Sequence, residues 1–167
     1  MLELEKKTKE EITRKENKIT ELLQNENEQH NEIARLTSEV EKHSKEMEDL
    51  SSSAKKLKKL NTFLFKIQSK LSSCQKEHSF FTDNHVCPTC TQDLSEDFRQ
   101  EKITEGEGEL NNLQTGLEDL LDAISKEEER EDEFNRLSKI VLGFNNNITQ
   151  ANYQITTLRR GISDLEQ

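Results

Sequence analysis

The stretch Asn31–Leu50, NEIARLTSEVEKHSKEMEDL, decides the fold. Its apolar residues fall at Ile33, Leu36, Val40, Met47 and Leu50, with His43 in the gap between Val40 and Met47. The steps alternate three and four. That is the period of a helix burying one narrow seam against another helix. Downstream the frame carries Ala54, Leu57, Leu60, Leu64, Ile67, Leu71 and Cys74, and upstream it reaches Leu22, Ile19 and Ile12. A second arm repeats the pattern at Leu110, Leu113, Leu117 and Leu120. It resumes at Phe134, Leu137, Val141, Phe144, Ile148, Ala151, Ile155, Leu158, Ile162 and Leu165. The positions between are mostly Glu, Lys, Asn and Gln, which suits a solvated face.

Composition agrees with seams rather than a wide core. Of the 167 residues, 35% are charged and 30% apolar, with one Pro and no Trp. A globular enzyme carries roughly 45–50% apolar residues. The five glycines include no G-x-x-x-x-G-K-[ST] loop, so this chain has no ATP site of that kind and is expected to have no enzymatic activity. The net charge of −10 argues against a generic DNA-binding surface. Residues 1–73 hold 15 basic and 14 acidic side chains, and residues 74–167 hold 9 and 20, so the two arms attract each other. No stretch approaches the ~18 apolar residues of a membrane span, and no signal peptide is visible. Three Cys, an odd number, suit a reducing intracellular compartment. The heptad frame is unbroken at Gln167, so a piece of a longer protein is expected.

The only Pro lies in His78–Leu94, together with Asp83-Asn84, which are poor helix residues. The predicted organisation is therefore an ascending arm over 1–77, a turn over 78–94 and a descending arm over 95–167. Asp93 and Ser95 both qualify as N-caps of the second arm, with Asp93 and Glu96 spaced as a capping box. The fold class is all-α, a long antiparallel two-helix coiled-coil hairpin. Folding at the midpoint of Cys87 and Cys90 places residue i opposite 177 − i. Leu22 then faces Ile155, Ile67 faces Leu110, and Leu71 lies opposite Gly106. The three-three step at Ala54, Leu57 and Leu60 mirrors Ala123, Leu120 and Leu117, as a stammer shared by both arms. Ser72, Ser73, Gly106 and Gly108 then weaken both arms at one height, where a hinge and a run of exposed small residues are both open readings.

The chemistry sits in Cys87-Pro88-Thr89-Cys90. Two thiolates three residues apart share one metal, Pro88 restricts the backbone, and the following amides can point at the first sulfur. Structural Zn²⁺ takes four ligands, most often Cys-rich, so this pair is half of a site. A second copy of the chain, meeting the first tip to tip, completes a Cys₄ centre with one Zn²⁺ per two chains. The alternatives are an intrachain Cys₂His₂ site with His78 and His85, and a structural coiled-coil protein whose Cys pair is incidental. Phe80, Phe81, Val86, Pro88, Thr89, Leu94 and Phe98 are the candidate interface around the metal. Cys74 falls in the seam and reads as a small buried hydrophobe.

A Cys-Pro-x-Cys at the midpoint of an antiparallel coiled coil resembles the zinc hook of the SMC-like DNA double-strand-break repair ATPases, with their SbcC-like bacterial and T4-type phage members. The match lies in Val86-Cys87-Pro88-Thr89-Cys90 with Gln92-Asp93-Leu94 and Glu96; Thr91 stands where many hooks carry Gly. The resemblance implies a dimerisation or tethering module in which two hooks share one zinc through Cys87 and Cys90. It also implies ATPase heads, a nuclease partner and DNA contacts outside this chain. The implied location is on DNA, in the nucleus of a eukaryote or the cytoplasm of a bacterium or phage-infected cell.

Overall fold

A computed structural model describes residues 2–167. The chain is all-α: α1 spans Leu2–Leu50, α2 Ser53–Asp83 and α3 Glu96–Glu166. No described helix is long and apolar enough to cross a membrane. By internal contacts the chain divides into two compact units. One joins the segment through Asp49 to Phe134–Gln167, and the other is Leu50–Glu133.

In the first unit α1 meets the last part of α3. Leu36 and Leu137 are 2% and 1% exposed, and Ala151, Ile155 and Ile162 are also buried. All five belong to the predicted seams. Burying a Leu or Ile side chain contributes about 1.5–3 kcal/mol, so a few such positions hold the pair while the flanks stay polar. Arg159 Nε donates to Glu26 Oε1 at 2.6 Å across the pair. His43 stacks on Phe144, with ring centroids 6.1 Å apart, and fills its seam position as a flat ring.

In the second unit α2 packs against the first part of α3, burying Ser53, Cys74 and Ile124. The interruption of the first arm falls at Ser51–Ser52, while α3 is continuous. Ser53 occupies a seam position despite its polarity. Its hydroxyl donates to Glu131 Oε2 at 2.6 Å and lies 2.8 Å from Leu50 O, the last residue of α1. This corrects the shared stammer: Ser53 and Ile124 are buried where Ala54 and Ala123 were expected.

The register is also corrected, by about one heptad in each unit. Leu22, expected opposite Ile155, has its Cδ1 3.6 Å from where a Cβ at Gly161 would lie. Ile67, expected opposite Leu110, has its Cδ1 3.2 Å from where a Cβ at Gly116 would lie. Gly106, expected opposite Leu71, sits against His78, whose ring carbons lie 3.2–3.6 Å from its Cβ position. These are shifts of six or seven residues. Two turns of helix return the same seam face to the partner, so the hydrophobic pattern is identical in both registers. Both helices run unbroken past Ser72, Ser73, Gly106 and Gly108. Gly106 is the residue that lets His78 and the Cys74 thiol approach α3, with Cys74 Sγ 3.8 Å from Gly106 O.

α2 continues through Phe80-Phe81 to Asp83. Asn84 then turns extended, and its N–H and Nδ2 both donate to Phe80 O, at 3.2 and 2.9 Å. Ser95 caps α3: its Oγ accepts from the Phe98 amide at 3.4 Å, and Glu96 and Asp97 lie at the positive end of the helix dipole. Asp93, the other candidate cap, is held opposite Val86 instead.

Candidate metal centre

The segment from Asn84 to Ser95 folds as a miniature hairpin. Val86 and Asp93 form an antiparallel bridge. The amide of Leu94 donates to His85 O, that of Cys87 to Gln92 O, and that of Thr91 to Cys87 O, each at 2.8 Å. These bonds bend Cys87–Thr91 into a tight knuckle with Pro88 and Thr89 exposed at its tip. Cys87 is half-buried, Cys90 is exposed, and both thiols are free.

Within the knuckle the backbone amides of Cys90 and Thr89 act on the Cys87 thiol. Those two donors, with the Cys90 thiol, hold the Cys87 thiol below its ordinary range, outweighing the opposing effect of burial. Hydrogen bonds to a thiolate favour the charged form, which is the form that ligates a metal. The two-thiol donor set, with one thiol biased toward its charged form, therefore fits a soft tetrahedral ion such as Zn²⁺. Burial pushes the Cys74 thiol up, with Glu109 and Glu77 acting in the same direction. Iodoacetamide at neutral pH should accordingly alkylate Cys87 well before Cys74. Mass mapping after short exposure checks this, and earlier labelling of Cys74 would contradict the arrangement.

Thr91 is the one described non-glycine residue with positive φ, at 60°. A β-branched residue in the left-handed region costs about 1–2 kcal/mol. Thr91→Gly relieves that cost but gains chain entropy in the unfolded state. A net stabilisation of the knuckle of up to about 1 kcal/mol is expected, read as slower amide exchange at Cys87 and Thr91.

The two candidate histidines differ: His85 is bonded to Arg99, whereas His78 Nε2 is buried with no hydrogen-bond partner. His85 Nδ1 lies 2.8 Å from Arg99 Nη1. A guanidinium can only donate, so Nδ1 accepts, and the neutral ring carries its proton on Nε2. His78 lies on α2 against Gly106, with Nε2 3.8 Å from Glu107 Oε1. Among the described residues no three His, Cys, Asp or Glu side chains gather to hold a metal ion.

Of the candidate interface residues, Phe80, Phe81 and Phe98 form an edge-to-face chain, with centroids 5.1 and 5.7 Å apart. This chain joins the end of α2 to the start of α3 beneath the knuckle. Val86 and Phe98 remain 44% and 42% exposed, and Leu94 is half-buried.

Arg99 is the supporting residue that sequence reasoning missed. It is 5% exposed. Its Nε donates to Phe81 O at 3.1 Å, Nη2 to Thr82 O at 3.3 Å, and Nη1 to Glu96 Oε2 at 2.7 Å as well as to His85. It ties the last carbonyls of α2, the entry to the hairpin and the first turn of α3 to one planar group. No apolar period marks such a residue, and charged residues are common throughout the arms. No protein-family model matches the chain, and no curated protein matches it.

Proposed function

We propose that the chain is an antiparallel two-helix coiled-coil hairpin and that its apical knuckle is half of a zinc site completed by a second copy. Cys87 and Cys90 from each copy would hold one Zn²⁺, making the chain a zinc-mediated dimerisation or tethering module. The observation that carries this reading is the knuckle itself. Two free thiols share one turn, backbone amides favour the thiolate of Cys87, and Pro88, Thr89 and Cys90 face outward. The occupation of His85 by Arg99 weighs against an intrachain Cys₂His₂ site. The bound metal supplies charge and fixed tetrahedral geometry to the joint, and the protein supplies the thiolates and their orientation. The resemblance to the hooks of SMC-like double-strand-break repair ATPases extends this to tethering of DNA-bound heads carried outside the chain.

Zinc content and solution mass, with and without chelator, test the reading. One zinc per two chains, and a dimer that dissociates on chelation, is the expected result. One zinc per monomer would instead support a self-contained zinc hairpin, and no zinc at all would remove both metal readings.

A further inference from the structure

Between Ser53 and Lys76, α2 carries seven Lys and no Asp or Glu, in a chain whose net charge is −10. Within that segment Lys56, Lys59, Phe63, Lys66 and Lys70 follow one another at steps of three, four, three and four. This is the period of the seam itself, so the five side chains run as a line along one flank of α2. At 1.5 Å per residue the line is about 21 Å long. Its first half borders a groove in which Lys56, Lys59, Leu60 and Phe63 face Ala123, Lys126 and Glu127 of α3.

Two observations separate this flank from an ordinary solvated helix face. Phe63, in the middle of the line, is 55% exposed, and Lys66 Nζ sits 5.7 Å from its ring centroid. The acid of the groove is already compensated. Glu127 lies 3.6 Å from Lys56 and 3.4 Å from Arg130, and Lys126 pairs with Asp122 at 2.6 Å. Lys59, Lys66 and Lys70 make no ion pair among the described residues. An exposed aromatic ring in line with the unpaired Lys59, Lys66 and Lys70 is the arrangement that recognises single-stranded nucleic acid. There the lysines follow the phosphates and the ring stacks with a base. A base paired within a duplex cannot present its face to Phe63, and a run of carboxylates alone offers no face to stack on the ring.

We propose that the Lys56–Lys70 flank of α2 binds single-stranded nucleic acid. The site needs no metal and is independent of the zinc reading, so the Cys87→Ser/Cys90→Ser chain should bind as the wild type does. Fluorescence anisotropy with a labelled oligothymidylate tests it, with a duplex of equal length and polyglutamate as comparison probes. If Lys59, Lys66 and Lys70 each neutralise one phosphate, log affinity falls against log salt with a slope of about −2. Phe63→Ala should weaken binding on the order of tenfold, and Phe63→Tyr should restore it. Phe65→Ala is the internal control: Phe65 is 76% exposed but lies two residues on, away from the line. Lys59→Glu/Lys66→Glu should remove binding, with helicity by circular dichroism unchanged. Absence of binding at low salt overturns the proposal. So does an equal loss in Phe63→Ala and Phe65→Ala, or a preference for the duplex. Tighter capture of polyglutamate would mark the flank as a surface for acidic protein instead and also overturns it.

Discussion

Replacing Cys87 and Cys90 together by Ser is expected to abolish zinc binding and the zinc-dependent dimer, leaving the helices intact. The effect is large because symmetry doubles every change. In a two-fold joint each chain gives two of four thiolates, so even Cys87→Ser alone removes two donors from the shared ion. Apparent binding energies of structural zinc are roughly 10–16 kcal/mol, and half the ligand set cannot sustain that. Little else holds the tips together: the exposed large apolar side chains near the knuckle are Val86 and Phe98, with Pro88 at its tip. A contact of that size lies far below the ~1,000 Å² at which protein interfaces become stable by themselves. Mixing chains gives the sharpest test. Wild type titrated with the double variant should form no mixed zinc dimer, because such a pair has only two thiolates. An intrachain site would leave zinc on every wild-type chain whatever its partner. Zinc retained at one ion per chain by either single Ser variant would falsify the shared site.

The helices and their buried stripes were legible because burial repeats at a period that sequence displays. Leu36, Leu137, Ala151, Ile155 and Ile162 were all read as seam positions and are all buried. The register was not legible, because a heptad slip preserves the same stripe; only contacts such as Gly106 with His78 distinguish the two alignments. Ser53 escaped because a polar side chain does not register in an apolar pattern, although its hydroxyl is satisfied by Glu131. The Cys pair was legible as chemistry, since spacing alone puts two thiols on one turn. Its surroundings were not. The bridge of Val86 to Asp93 and the choice of Ser95 over Asp93 as cap depend on how twelve non-helical residues close between two helices. Arg99 illustrates the limit best: one Arg among 24 basic residues has nothing in the sequence to separate it from the solvated ones.

Arg99→Ala is expected to loosen the knuckle and destabilise the second unit by about 3 kcal/mol, the largest single-residue effect anticipated outside the cysteines. Four groups lose their donor at once: Phe81 O, Thr82 O, His85 Nδ1 and Glu96 Oε2. Water can reach Glu96, whose side chain is 72% exposed. The two carbonyls end α2 beside the Phe81–Phe98 contact, so their loss falls on packed structure. Arg99→Lys should recover only part of the effect. An ammonium is a point charge and cannot span partners on two sides as the planar fork does. A purely structural role predicts a lower melting temperature and nothing more. A positioning role predicts in addition that zinc affinity falls and that the alkylation rate of Cys87 moves toward that of an ordinary thiol, even at temperatures where helicity is intact. The second outcome is expected, because His85 is the residue through which the Leu94 amide closes the base of the hairpin, two positions from Cys87. Unchanged zinc affinity and Cys87 reactivity in folded Arg99→Ala would show that the knuckle holds its shape without the guanidinium.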